Sequence, residues 1–127
     1  MFSSAKVTIT TNASGAAEVF LSHGENRKLN GFLACLIYTP GTIAAGADLT
    51  ITTEDRAIPI LTKADVGASM VVFNPRALLN AVADGAEATS PSEYIPIKDE
   101  RIKVAVAQGG SGGIGSIEAI LINQSPY

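Results

Sequence analysis

The chain has 127 residues, a formal net charge of −3 at pH 7 and only 17% charged residues. That length allows one domain with a core that needs neither a metal nor a disulfide, and the slightly acidic balance gives no electrostatic footprint for nucleic acid or an anionic membrane. No apolar run approaches the roughly 18 residues of a membrane span, so we expect no membrane partner.

Short segments that alternate apolar and polar residues, or are apolar throughout, recur along the chain with turn residues between them. Such segments predict short β-strands, because successive side chains of a strand point to opposite faces. The predicted strands cover residues 6–10, 17–21, 32–38, 48–53, 57–61, 70–73, 94–97, 102–107 and 116–122. The run Phe32–Tyr38 is apolar on both faces, which predicts a central strand that is covered on both sides. Pro59 cannot donate to a ladder, so its strand is expected at a sheet edge.

One segment, Arg76–Ala83, is predicted to be helical. Leu78, Leu79 and Val82 follow one another at helical spacing, and Gly85 is a suitable residue for the end of such a helix. Beyond it, small residues favour a surface loop over residues 86–92.

The pattern as a whole predicts an all-β fold, since about eight or nine strands alternate with turns and no βαβ rhythm is present. We expect an antiparallel β-sandwich or jelly-roll-like barrel of about eight strands with one short helix. A single β domain over residues 1–127 is expected, with an N-terminal hairpin or arm at 1–22 and a loose tail at 123–127.

The glycine-rich segment 110–115 fits the spacing G-x-G-x-x-G after an apolar strand, which is the phosphate-binding turn of dinucleotide-binding enzymes. That motif needs a helix, a second parallel strand and an acidic residue about 20 positions further on, whereas 12 residues follow Gly115. The isoleucines of 116–122 favour a strand instead. We therefore interpret 102–122 as a closing hairpin whose tip needs positive φ angles and looseness from Gly109, Gly110, Gly112, Gly113 and Gly115.

Candidate catalytic or metal-binding residues are few. Cys35 lies in an apolar run and is predicted to be a buried structural thiol. His23 lies in a polar loop and is predicted to be solvated. The acids Asp48, Glu54, Asp55 and Asp65 do not follow the spacing of a calcium loop and are predicted to lie in turns or on solvated faces.

We accordingly predict no catalytic, cofactor-binding or metal-binding residue, no small-molecule substrate and no enzymatic activity. Arg101 stands just before a strand and is a candidate for an ion pair with an acid on a neighbouring strand.

Five phrases carry a resemblance to a known family through their order along the chain. They are Gly31–Tyr38 (GFLACLIY), Gly46–Thr53 (GADLTITT), Ala64–Ser69 (ADVGAS), Asn74–Arg76 (NPR) and Asp99–Gly110 (DERIKVAVAQGG). In this order they resemble small virion-associated proteins of tailed bacteriophages, over roughly residues 30–122.

The resemblance implies a structural component of the virion. In its sharpest form this is a capsid decoration (cement) protein, which binds the outside of the major capsid shell as a homotrimer and stabilises the shell. The partner would be the major capsid protein, and the location would be the capsid exterior after synthesis in the host cytoplasm. Segments 1–22 and 86–92 and the glycine-rich tip are candidates for the contact, and several weak contacts would sum to a stable attachment.

Two other interpretations stay open. One is a head-to-tail connector or a tail accessory protein. The other, from a different class, is a β-sandwich glycan-binding module, which needs exposed aromatic side chains or paired carboxylates in one cleft. The chain has few aromatic residues for that role: four phenylalanines, three tyrosines and no tryptophan.

Overall fold

The computed structural model describes residues 2–24, 26–80 and 85–123, and of residues 78–80 and 88–91 the backbone alone. In these residues the chain forms antiparallel strands and no helix, so the all-β prediction is confirmed. The strands are β1 (Phe2–Thr10), β2 (Ala17–Leu21), β3 (Leu29–Thr39), β4 (Asp48–Thr53), β5 (Pro59–Lys63), β6 (Val71–Phe73), β7 (Ala77–Asn80), β8 (Glu87–Glu93), β9 (Ile95–Glu100), β10 (Ile102–Ala107) and β11 (Ile114–Ile122).

Two sheets make up the body of the fold. Sheet A has the order β1-β11-β3-β6, with β9 also paired to β3, and sheet B has the order β2-β10-β4-β5. One hydrophobic cluster draws on both sheets, which is the arrangement of a β-sandwich. Both sheets have free edges, so of the two expected architectures the barrel is wrong. Strands β7 and β8 form a separate two-stranded sheet.

The core follows the period-2 pattern that the sequence shows. In sheet B, Leu49 and Ile51 of β4 are buried, as their alternation predicts. In sheet A, the central strand β3 buries Leu33, Leu36 and Tyr38. The edge position predicted for Pro59 is also confirmed, because β5 is the last strand of sheet B.

Neither of the two expected hairpins forms. Strand β1 pairs with β11 in sheet A and β2 pairs with β10 in sheet B, so both β1–β2 and β10–β11 are arches that cross from one sheet to the other. The physical reason is the length of the connections: 11–16 and 108–113 are long enough to cross the roughly 10 Å between packed sheets, whereas a hairpin is closed most readily by two residues.

The two arches are nested and their turns touch. The backbone N–H of Gly109 donates to the carbonyl of Gly15 at 2.8 Å, and the N–H of Thr11 donates to the carbonyl of Gly113 at 2.9 Å. The hydroxyl of Thr11 also accepts the N–H of Gly113 at 2.7 Å. The tip is therefore fastened by hydrogen bonds, and the expectation of looseness is wrong.

The glycines of this tip serve two different needs. Only Gly110 and Gly112 have positive φ angles, of 79° and 66°. The other three have no room for a side chain, since a Cβ on Gly115 would lie 2.6 Å from the carbonyl oxygen of Pro40. Likewise, a Cβ on Gly109 or Gly113 would lie 2.8 Å or 2.9 Å from a neighbouring carbon atom.

The predicted helix over Arg76–Ala83 is wrong where the structure describes it. Residues Ala77–Asn80 form β7, paired with β8, and residues 81–83 lie outside the described residues. A helix of two turns is marginal on its own, and here a neighbouring strand offers hydrogen bonds to the segment. That neighbour, β8, takes up most of the loop predicted at 86–92.

The glycine at position 115 provides a test of the close packing of β11 against the connection between β3 and β4. We expect Gly115→Ala to reduce the free energy of unfolding by about 3 kcal/mol, because the new methyl group meets backbone that side-chain rotation cannot move. Gly112→Ala is the matched control: its methyl group would meet open space, so only the left-handed backbone opposes it, at about 1 kcal/mol. Urea denaturation measures both, and equal losses would contradict the close approach.

Tyr38 provides a second test. Its side chain is fully buried, and its hydroxyl has no hydrogen-bond partner among the residues that the structure describes. Burial raises the pKa of Tyr38, so the phenol stays neutral. We expect Tyr38→Phe to raise the free energy of unfolding by about 1 kcal/mol, because a buried hydroxyl without a partner destabilises the fold. A loss of stability in urea denaturation would show that the hydroxyl is bonded.

Candidate interaction surface

The outer face of sheet A carries a continuous row of apolar side chains. Strand registers align Phe2 with Ile122, Ile122 with Phe32, and Phe32 with Pro96, across four strands. Residues opposite one another in antiparallel strands share a face, so these four side chains form one line, which we call the apolar row. Phe2 is 69% exposed, Pro96 is exposed, and the other two are half-buried.

The neighbouring rows show that this line belongs to the outside. One step along the strands, Leu121, Leu33 and Ile95 occupy the same register and are buried in the core. One step further, Ile120 and Cys35 are again half-buried and lie beside the apolar row. The apolar row therefore widens into a strip two rows deep.

The polarity of the outer face changes along the strands. Beyond Ile120 and Cys35, the next row aligns Lys6 with Glu118, and Glu118 with Ile37. Past that row, Thr8, Ser116 and Thr39 form a polar row, and the last pair aligns Thr10 with Ile114, which is 53% exposed. The polar side chains are thus concentrated in the half of the face away from the apolar row, where Ile37, Val72 and Ile114 lie among them.

A buried carboxylate fastens the other end of the sandwich. The side chain of Glu100 is 1% exposed and accepts the backbone N–H groups of Asp55 and Arg56 at 2.9 and 3.1 Å. It also accepts the guanidinium of Arg56 at 2.5 Å. Because Glu100 closes β9 and Asp55 follows β4, this carboxylate ties the β4–β5 turn of sheet B to a strand of sheet A.

The pKa of Glu100 reflects this environment. Burial alone would raise it, but the hydrogen bonds from Arg56, Asp55 and Thr53 outweigh burial and hold the net pKa below its ordinary value. The sequence contains a signal that points to this residue. Glu100 stands two positions before the inward-facing Ile102, and a charge in phase with a core face requires partners.

The ion pair expected for Arg101 is confirmed. Its guanidinium donates two hydrogen bonds to Glu54, at 2.6 and 2.7 Å, and lies 4.2 Å from the centre of the Phe20 ring. These hydrogen bonds lower the pKa of Glu54 and raise that of Arg101. The carboxylate of Glu54 therefore serves a structural ion pair with Arg101.

Of the remaining candidate acids, Asp55 and Asp65 lie between strands and Asp48 is the first residue of β4. Asp48 accepts the backbone N–H of Asp65 at 3.0 Å, and Asp55 is exposed in the β4–β5 turn. In the described portion of the chain, no three histidine, cysteine, aspartate or glutamate side chains form a group that could hold a metal ion. No pocket opens in the surface formed by residues 2–24, 26–80 and 85–123, and these ranges contain no candidate membrane-spanning helix.

Cys35 is less buried than predicted. It is half-buried on the outer face of sheet A, because the register shift in β3 turns it away from the core. Desolvation by burial raises the pKa of its thiol, opposed by the charge of Arg76 and helped by that of Glu118. A raised pKa leaves little thiolate, which does not favour a nucleophilic role. His23 is half-exposed in a turn where its backbone pairs with that of Arg27.

The three segments named as contact candidates differ in what they offer. Segment 1–22 supplies β1 and Phe2 of the apolar row. Segment 86–92 belongs largely to β8, and the side chains of residues 88–91 lie outside the described part of the structure. The glycine-rich tip has three N–H groups, of Gly109, Gly112 and Gly113, that already donate to acceptors within the chain.

Comparisons with family models, with curated proteins and with solved structures found no match to this chain.

The buried carboxylate of Glu100 yields a prediction about stability and pH. We expect Glu100→Gln to lower the free energy of unfolding at pH 7 by about 3 kcal/mol. The neutral amide has a single acceptor oxygen and no charge, so it cannot satisfy all the donors that the carboxylate accepts. Glu18→Gln is the matched control, since Glu18 is exposed and its nearest cation, on Lys103, is 3.5 Å away. The control is expected to change stability by less than about 0.5 kcal/mol.

The pH dependence has a definite sign. The folded-state pKa of Glu100 lies below its unfolded-state value, so its contribution is fully present above about pH 5 and is lost as the pH falls through the folded-state pKa. Denaturant titrations from neutral to acidic pH should show a steeper loss of stability in the unmodified protein than in Glu100→Gln. Parallel curves would exclude Glu100 as a source of acid sensitivity.

Proposed function

We propose that this chain is a structural protein of the virion of a tailed bacteriophage, and that it acts as a capsid decoration (cement) protein. In this role it binds the outside of the major capsid shell and stabilises the shell. The observation that carries the proposal is the apolar row on the outer face of sheet A, combined with the resemblance of residues 30–122 to virion-associated proteins.

The apolar row supports a protein partner because of its shape and position. It crosses four strands, a second row with Ile120 and Cys35 lies beside it, and the row after that contains Lys6 and Glu118. Contiguous apolar surface of this kind is typical of sites that another protein covers. The large exposed ring of Phe2 at its end is the kind of side chain that dominates the energy of protein interfaces.

The hydrogen bonds that join the two sheets beneath the apolar row support a mechanical role. The nested arches at one end and the Glu100 carboxylate at the other join the two sheets by hydrogen bonds between distant parts of the sequence. A protein that stabilises a shell must transmit force between its contacts without changing shape, and a sandwich fastened at both ends suits that task. The homotrimer implied by the resemblance concerns the assembled shell and stays a prediction.

The test is binding of the purified protein to decoration-free shells of the phage that encodes it, imaged by electron cryo-microscopy. We expect stoichiometric density on the outside of the shell and a higher melting temperature of the decorated particles, since binding to the assembled state stabilises it. Density at the tail vertex alone would contradict decoration and favour the head-to-tail or tail accessory role.

Phe2→Ser tests whether the apolar row makes the contact. Phe2 is mostly exposed, so the fold should tolerate the change, while the apparent affinity for the shell should fall at least about tenfold. Ile58→Ser is the control, because Ile58 is also exposed but lies in a turn of sheet B. Equal effects of the two substitutions would place the contact elsewhere.

A further inference from the structure

Strand β1 is an edge of sheet A. It pairs with β11 along its whole length, from Phe2 opposite Ile122 to Thr10 opposite Ile114, without a bulge or a proline. The sheet ends at β1, so the other side of this nine-residue strand has no strand beside it among the described residues.

The other edges of the sandwich are protected and β1 is not. Strand β5 contains Pro59 and a register shift, β6 has three residues, and β2 has five. Strand β9, which shares the far edge of sheet A with β6, contains Pro96. Short strands, prolines and bulges are the usual means by which an edge avoids pairing with another chain. On β1 the only such device is the charge of Lys6.

The outward backbone groups of β1 can be assigned. The N–H of Thr11 donates to Gly113 in the register that continues the β1–β11 ladder. Hydrogen-bonded pairs alternate along an antiparallel ladder, so the odd-numbered residues of β1 bond to β11. The even-numbered residues Phe2, Ser4, Lys6, Thr8 and Thr10 therefore direct their N–H and C=O groups away from the sheet. In the described part of the chain, none of these five takes part in a backbone hydrogen bond outside its own ladder.

We propose that β1 of one copy pairs antiparallel with β1 of a second copy, so that sheet A continues from one molecule into the next. The occupant of the edge must be an extended strand, because the groups on offer are a row of main-chain donors and acceptors. A second β1 fits, since under a two-fold axis its even-numbered residues meet the even-numbered residues of the first. The core faces of the two sheets then stay in one layer.

Charge and shape select the register. An axis through Lys6 would place two lysines opposite each other, and like charges in that position destabilise a strand pair. An axis through Ala5 places Ser4 opposite Lys6 and Phe2 opposite Thr8. The second of these pairs covers an aromatic ring that is 69% exposed with a β-branched side chain, a favourable cross-strand combination. Axes through Val7 or Ser4 also separate the lysines, but the first leaves Phe2 beyond the paired region and the second shortens the pairing to residues 2–6. We therefore assign the axis to Ala5.

The test is the mass of the free full-length protein by size-exclusion chromatography with light scattering, from about 1 μM to about 1 mM. The expected species holds an even number of copies, at its smallest twice 13.1 kDa. Ser4→Lys should weaken the association, and Ser4→Glu should tighten it by about threefold to tenfold, because position 4 faces Lys6 of the second copy. Thr10→Lys is the matched control: it is exposed on the same strand but lies outside the paired region.

Ser4→Pro addresses the backbone directly. It removes an outward N–H that the fold itself does not use, so the circular dichroism spectrum should be unchanged while association weakens by at least about tenfold. A protein that is monomeric at every concentration, or that forms only odd-numbered species, overturns the proposal. So does an oligomer that responds equally to Ser4→Lys and Thr10→Lys. Because no shell is present, this result is independent of whether the chain decorates a capsid.

Discussion

The hydrogen bond from the N–H of Gly109 to the carbonyl of Gly15 joins the two connections that cross between the sheets. The same two connections join strands that are matched as nested pairs, β1 with β11 and β2 with β10. The contact requires backbone to approach backbone, so each side of it is a glycine. The contribution of β1 to the outer face depends on this nesting, because Phe2 reaches the apolar row only when β1 lies beside β11.

Local structure in this chain is readable from sequence, whereas the choice of partner strands is not. Nine of the strands coincide with predicted ones, since period-2 alternation and β-branched residues act within a few positions. The same alternation in Val104 and Ile117 states only that each strand has an apolar face. The alternation does not distinguish two strands that pair within one sheet from two strands that pack against each other across the core. For this reason the sequence predicts hairpins where the structure has arches. The glycines at the turn are consistent with either arrangement.

Two other differences between expectation and structure come from neighbours distant in the sequence. The segment after Arg76 has helical spacing but gains a strand partner in β8, and Arg76 itself is held by the carbonyl of Ala34 at 2.8 Å and by the ring of Tyr94. Glu100 is an acid in a core-facing position that becomes favourable only because the β4–β5 turn presents two N–H groups to it. Strand β8 and the β4–β5 turn are distant in sequence from the residues that they contact, so no local pattern predicts these contacts.

The apolar run Gly31–Tyr38 links sequence, fold and proposed function. Its composition predicts a strand covered on both faces, and sheet B covers the face with Leu33, Leu36 and Tyr38. On the other face Phe32 and Cys35 are half-buried within the apolar strip. Leaving such surface in water forgoes about 25 cal/mol for each Å² that a partner could bury. The sequence of β3 is that of an interior strand. We propose that another protein, the capsid shell, adds to the cover of this second face.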